Sequence, residues 1–206
     1  METNQEPVYS RHVVEFVTVA NEFCKYAEHS SEIKGDQMLR IMQRLLPLLY
    51  LKAAFLPQLE PVFDDGNEKF VTEPDWYRIH DGFKRALGSA NDYLGLPEQI
   101  TSESEIPVTM SIAEDMADIY QDIKNFLLLY QTGTPEVMND SVWECRMNFE
   151  NYWGNKLINS IMAIHKFICS GDEISEPGED KQKPRGDDHS DWFISRRQKE
   201  FREGDE

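Results

Sequence analysis

A chain of 206 residues with 38 acids against 21 bases, a formal charge of −17, is one domain's worth of sequence and long enough to bury a full hydrophobic core. Residues 1–170 hold 14 bases and 26 acids, a charge of −12, and residues 171–206 hold 7 and 12, a charge of −5. Phosphate backbones are held by Lys and Arg that displace counterions, so this balance excludes general nucleic-acid binding and disfavours an anionic membrane surface; a cationic protein partner is favoured over both.

From Ser10 to about Glu28, Val13, Phe16, Val17, Ala20, Phe23, Cys24 and Ala27 recur at helical spacing and predict a first helix. Gly35-Asp36 opens a second through Met38, Ile41, Met42, Leu45, Leu49 and Phe55, with Pro57 as its stop. Pro47 inside it removes one backbone hydrogen bond and crowds the preceding turn, so this helix is expected to bend or divide there. The most apolar stretch, Leu45 to Leu56, is about twelve residues long against the roughly 20 needed to span a bilayer, and it contains Lys52. It reads as a central core helix.

Residues 57–71 carry Pro57, Pro61 and Asp64-Asp65-Gly66-Asn67, which is the chemistry of a connection. Thr72-Glu-Pro-Asp75 starts a third helix, with a capping hydroxyl, proline in the first turn and acids near the positive end of the dipole; Trp76, Ile79, Phe83 and Leu87 continue it. Gly88 to Pro107 reads as a long loop, and no strand pattern stands out anywhere. Ser111 with Glu114 forms a capping box for a fourth helix, whose seam of Ile112, Met116, Ile119, Ile123, Phe126 and Tyr130 steps by four and three. Leu127, Leu128 and Leu129 make its end apolar nearly all round, which implies deep burial or a homo-oligomer contact. Gly133-Thr134-Pro135-Glu136 ends that helix and starts a fifth, with Thr134 as its cap, running to about Ile168 with Gly154 as a bend.

The fold class is therefore all-α: an antiparallel bundle of about five helices with a long final helix, over residues 1–170. Residues 171–206 form a polar, acidic, low-complexity tail that cannot bury enough surface to offset its ordering entropy. Within it, a short helix at 190–203 would align Phe193, Arg197 and Phe201 at i, i+4 and i+8 beside Trp192, the pattern of a docking peptide for a protein partner. A tail helix folded back on its own body is the alternative. Cys24, Cys145 and Cys169 share no close spacing, which argues for buried thiols in a reducing, cytoplasmic compartment, and the N-terminus lacks the basic and apolar runs of a secretory signal.

Chemistry concentrates on the fourth helix. At about 100° per residue, Asp115 and Asp122 lie about 60–80° to one side of the apolar seam and Asp118 about 120°. In a hairpin turning near residues 132 and 133, Asp122 would stand level with Glu144 and Asp118 with Asn148. Asp115, Asp118, Asp122 and Glu144 are thus candidate ligands for Mg2+, which with waters could hold a substrate phosphate near Lys156 or Arg146. Helical nucleotide pyrophosphohydrolases pair acids in this way, and Glu114-Asp115-x-x-Asp118 imitates the first half of their pattern; the Glu-x-x-Asp of the second half is missing. The competing assignment is structural. Arg146 and Lys156 fall inside the apolar face of the fifth helix, buried cations need partners, and the acidic ridge could supply them. The five histidines show no ligand spacing, and neither a nucleophile elbow nor a phosphate-cradling Gly-rich loop is present.

Four segments read together: Tyr9–Cys24, Leu46-Pro-Leu-Leu-Tyr-Leu-Lys52, Ile119-Tyr-Gln-Asp-Ile-Lys124 and Trp143-Glu-Cys-Arg-Met-Asn-Phe-Glu-Asn-Tyr-Trp-Gly154. Over about residues 8–170 they resemble the bacterial family known as domain of unknown function 5063. The resemblance implies a cytoplasmic bacterial helical domain and transfers no activity, cofactor or catalytic residue. The expectation is a non-enzymatic protein–protein interaction module without a cofactor, contacting its partner through the acidic groove or through Trp192, Phe193, Arg197 and Phe201. The alternative is a magnesium-dependent nucleotide phosphohydrolase.

Overall fold

The computed structural model describes residues 6–64, 66–95 and 107–175. The tail residues Trp192, Phe193, Arg197 and Phe201 lie outside the described residues. Helix α1 spans Arg11–Glu28 and α2 Gly35–Ala54; α3 spans Glu73–Leu87, α4 Ile112–Tyr130, α5 Pro135–Asn148 and α6 Gly154–Ser170. A π-helical turn, Phe149–Trp153, joins α5 to α6 without a break, so the long final helix is real and its irregularity falls next to Gly154. The Gly154 N–H bonds the Phe149 carbonyl, and a Cβ at residue 154 would stand 2.3 Å from that oxygen.

Local chemistry explains most of the boundaries. Thr72 accepts from the Asp75 N–H while Asp75 returns a bond to the Thr72 N–H, the full capping box, and Ser111 caps α4 through the Glu114 N–H. Thr134 does not cap α5; its side chain makes no cap bond, and Pro135 alone marks that start. Pro47 does not divide α2. It sits on the outward face, so the turn that loses a hydrogen bond is the one water can reach. The expected loop at 88–107 contains a strand, β1 Asp92–Gly95, which pairs antiparallel with β2 Val108–Ser111 just beyond it, registered Asp92 to Ser111 and Gly95 to Val108. Four-residue strands are too short to show a period in sequence.

Central α4 packs against α1, α3, α5 and α6. Its seam joins Phe16, Phe23, Met42, Leu46, Phe83 and Trp153 in one core, all at or near zero exposure. At the apolar end of α4, Leu127 and Leu129 are buried and Leu128 is half-buried. Cys24 and Cys145 are buried, and burial pushes the Cys24 thiol up to about 12; Cys169, expected to be buried, is exposed at the end of α6. No helix among the described residues is long and apolar enough to cross a membrane. Beyond α6 the chain turns at Gly171 and stays on the body: Ile174 packs on the core beside Gly35, and Ser175 exchanges hydrogen bonds with Ser89.

Candidate functional site

The acidic ridge faces inward. Asn91, just before β1, accepts from the Ile112 and Ala113 N–H groups and so fixes the start of α4 against the ribbon. That geometry puts the Tyr93 hydroxyl 2.6 Å from Asp115, which also accepts from Ser160 at 3.0 Å and lies 3.6 Å from the Lys156 ammonium. Asp115 is 2% exposed. Burial raises its pKa, against the opposing pull of the Tyr93 hydrogen bond and the Lys156 charge.

One turn on, Asp118 accepts from the Trp76 indole at 2.7 Å and the Tyr152 hydroxyl at 2.8 Å, and Lys156 stands 3.1 Å away. Lys156 therefore bridges two carboxylates, with its ammonium 5.2 Å from the Tyr152 ring centre. Asp122 accepts from Asn148 at 2.7 Å; burial pushes it up to about 6, with the Glu144 and Asp118 charges adding to the rise and Lys69 opposing it.

Glu144 stands apart from this row. It accepts from Asn67 at 3.1 Å and Lys69 at 2.6 Å, both on the long connection between α2 and α3. The level pairing expected for α4 and α5 is displaced by one turn, since Asp122 meets Asn148 and Asp118 meets Tyr152. Among the described residues, no group of three or more His, Cys, Asp or Glu side chains is disposed to hold a metal ion.

Lys156 takes the partners expected of it, but Arg146 does not reach the ridge. Its guanidinium donates to the Leu56 carbonyl and pairs with Glu150 at 2.8 Å. That bond belongs to a second polar system that sequence reasoning missed. Asp140, 3% exposed, accepts from the Val62 and Phe63 N–H groups at 2.7 and 2.9 Å; Asn125, 4% exposed, accepts from the Phe70 and Val71 N–H groups at 2.8 and 3.0 Å. These side chains supply acceptors to a connection that has no secondary structure of its own to satisfy its backbone. A lone Asn just ahead of the apolar run Phe126–Leu129 was the available signal for Asn125.

The opposite chemistry appears on α2. Its outward arc reads, from N to C, Asp36, Gln37, Arg40, Arg44, Pro47, Leu48, Leu51, Ala54 and Phe55, within about 120° of one another on the helix wheel and all exposed. Leu48, Leu51 and Phe55 are 41%, 48% and 51% exposed, and Phe55 stacks on His12 of α1 at 5.2 Å. Among the described residues, neither Arg40 nor Arg44 forms an ion pair.

The family model for the domain of unknown function DUF5063 matches residues 7–170. The crystal structure of protein BF1032 from Bacteroides fragilis is similar, with 38% identity and a TM-score of 0.68, over 78% of this chain and 94% of that one. No curated protein matches the chain.

Proposed function

The chain belongs to the DUF5063 family, and from that premise we propose that it is a non-enzymatic helical module that works by protein contact, with the outward face of α2 as its contact surface. The supporting observation is a contrast in pairing. Asp115, Asp118, Asp122 and Glu144 each accept hydrogen bonds from side chains on other elements of this chain, whereas Leu48, Leu51 and Phe55 lie open to solvent along one helix. Three aliphatic or aromatic side chains aligned at i, i+3 and i+7 are what an amphipathic partner segment reads. The acids act as internal ties rather than as a recognition groove. Two buried thiols and one exposed thiol, none of them paired, fit a reducing cytoplasm.

The test substitutes Leu48 and Leu51 by Asp in the full chain and follows a partner recovered from a lysate of the source cells. Loss of the partner with the thermal midpoint unchanged supports a contact face on α2; retention of every partner sinks it. The alternative, magnesium-dependent hydrolysis of a nucleotide through Asp115, Asp118, Asp122 and Glu144, takes its place if millimolar magnesium raises the midpoint and Asp118→Asn abolishes the rise.

A further inference from the structure

On the outward face of α6 we propose a metal site: His165 and Cys169 form a two-ligand chelate for a divalent transition ion of the zinc class, with the remaining coordination positions open to water or to a donor from another molecule.

Helix geometry is the first argument. Residues four apart stand on one face of an α-helix with their Cβ atoms about 5–6 Å from each other, and two ligands at that spacing give a helix a bidentate grip on zinc. His165 and Cys169 hold these positions near the end of α6, Gly154–Ser170, and both are exposed. The opposite side of the helix carries Leu157, Ser160, Ala163 and Ile164, all buried, so the backbone that presents the pair is anchored in the core.

Distance is the second. Cys169 Sγ lies 3.6 Å from His165 Nε2 and 4.0 Å from Nδ1. A tetrahedral zinc ion held by a thiolate at about 2.3 Å and an imidazole at about 2.0–2.1 Å separates that sulfur and nitrogen by about 3.5–3.6 Å. The two side chains therefore stand at the bite of a shared ion, and rotation of the exposed ring about χ2 aims its lone pair there. An S–H group is a weak donor, so a hydrogen bond between them holds little against water at an exposed position.

Ligand type and charge select the ion. A thiolate with an imidazole suits Zn2+ and its transition-metal neighbours, whereas magnesium and calcium take oxygen ligands. Coordination releases the thiol proton to solvent. The pair sits at the C-terminal end of α6, where the helix dipole favours a cation, and the last turn holds no basic residue. Lys166, about 100° round the helix from His165, lines a recess with Asp92 and Asp172 instead. Cys24 and Cys145 are buried, so Cys169 is the cysteine an ion can reach.

The experiment titrates the full, untagged, reduced chain with Co2+ and then competes with Zn2+. The expected result is a sulfur-to-cobalt charge-transfer band in the near ultraviolet that saturates at one ion per chain below millimolar cobalt and is displaced by zinc. Cys169→Ser should abolish the band, and His165→Gln should weaken binding by at least about tenfold, the loss that even an outer-shell partner of a metal site can cause. Circular dichroism reports that each variant is folded. Asp118→Asn should leave the band unchanged, which separates this site from the magnesium reading of the ridge. Absence of the band in the parent overturns the inference, as does a band that survives Cys169→Ser. Affinity unchanged in His165→Gln also overturns it, because the thiolate would then bind without its imidazole.

Discussion

The ridge of α4 and the outward face of α2 divide the molecule's chemistry unequally. The ridge carries the residue types that catalysis uses, acids with raised pKa values beside a lysine and two tyrosines, and among them Asp115 and Asp118 are each held by three donors of the same chain. The face of α2 carries aliphatic and aromatic groups with two arginines, and most of it is open to solvent. Perturbed acidity arises wherever a carboxylate is buried, including where its task is to tie helices together, so the degree of satisfaction distinguishes the two regions better than residue type does. Removing a tie should damage the fold; altering the face should damage only what docks there.

The largest effect is expected at Lys156. Replacing it by Met leaves Asp115 and Asp118 without their shared cation, and breaking a buried pair by deleting one partner costs roughly 3–5 kcal/mol. In a chain of this size that lowers the thermal midpoint by roughly 10 °C. The loss should shrink in acid, because Asp115, already raised by burial and now without the opposing Lys156 charge, takes up a proton and sheds its unpaired charge. A midpoint within 2 °C of the parent at pH 7 would mean that the ridge is not a structural tie.

Gly154→Ala should cost less, about 2 kcal/mol, in the range for forcing extra atoms into a packed site. The added Cβ must push back the Phe149 carbonyl, 2.3 Å away. Urea denaturation measures the cost, and reduced Tyr152 and Lys156 contact to Asp118 in a structure of the variant would show why. A π turn carries an extra residue that rotates everything after it by about 100°, so the turn at Phe149–Trp153 sets which side chains of α6 reach α4.

That rotation also shows why the site was less legible in the sequence than the fold. Helix α4 could be read from Ser111, Glu114 and a seam stepping by four and three, and α3 from Thr72 and Asp75, because local chemistry decides those boundaries. The pairing of α4 with the final helix could not: the one-turn displacement is already present at Asn148 and so follows from the path of Gln131–Thr134, while the π turn after it sets which side chains of α6 reach α4. Gly154 marked the irregularity without giving its kind. Glu144 looked like a fourth ligand because Asn67 and Lys69 are nearly 80 positions away, and a periodic pattern carries no sign of a strap that crosses the helix. Arg146 looked like a partner for the acids for the same reason, and the Leu56 carbonyl takes it instead.

Asp122 tests the ridge with the opposite sign. Its folded pKa of about 6 lies above the ordinary 3.8, so the folded state binds the extra proton between those values and stability falls as pH rises through that window. The deficit is complete above pH 6. Asp122→Asn keeps an acceptor for Asn148 and removes the charge, so it should stabilise the protein at pH 7–8 by on the order of 1 kcal/mol, after discounting for partial exposure, and change nothing below pH 4. Denaturation at pH 4, 6 and 8 measures this. A destabilisation at pH 8 would show that the ionised carboxylate is needed, and a magnesium-dependent midpoint lost in the same variant would return the ridge to metal chemistry.

The smallest effect on the fold is expected on α2. Leu51 and Phe55 are about half exposed, so placing Asp at both should leave folding stability within about 0.5 kcal/mol, as substitutions outside the packed core usually do. The midpoint of the double variant, measured in a chain ending at Ser175 as well as in the full chain, isolates what the face contributes. Equal small changes in both chains mean that neither side chain supports the helix beneath it. A loss above 2 kcal/mol in the shorter chain would make the stripe part of the core, through the stack of Phe55 on His12, and would erase the contrast with α4.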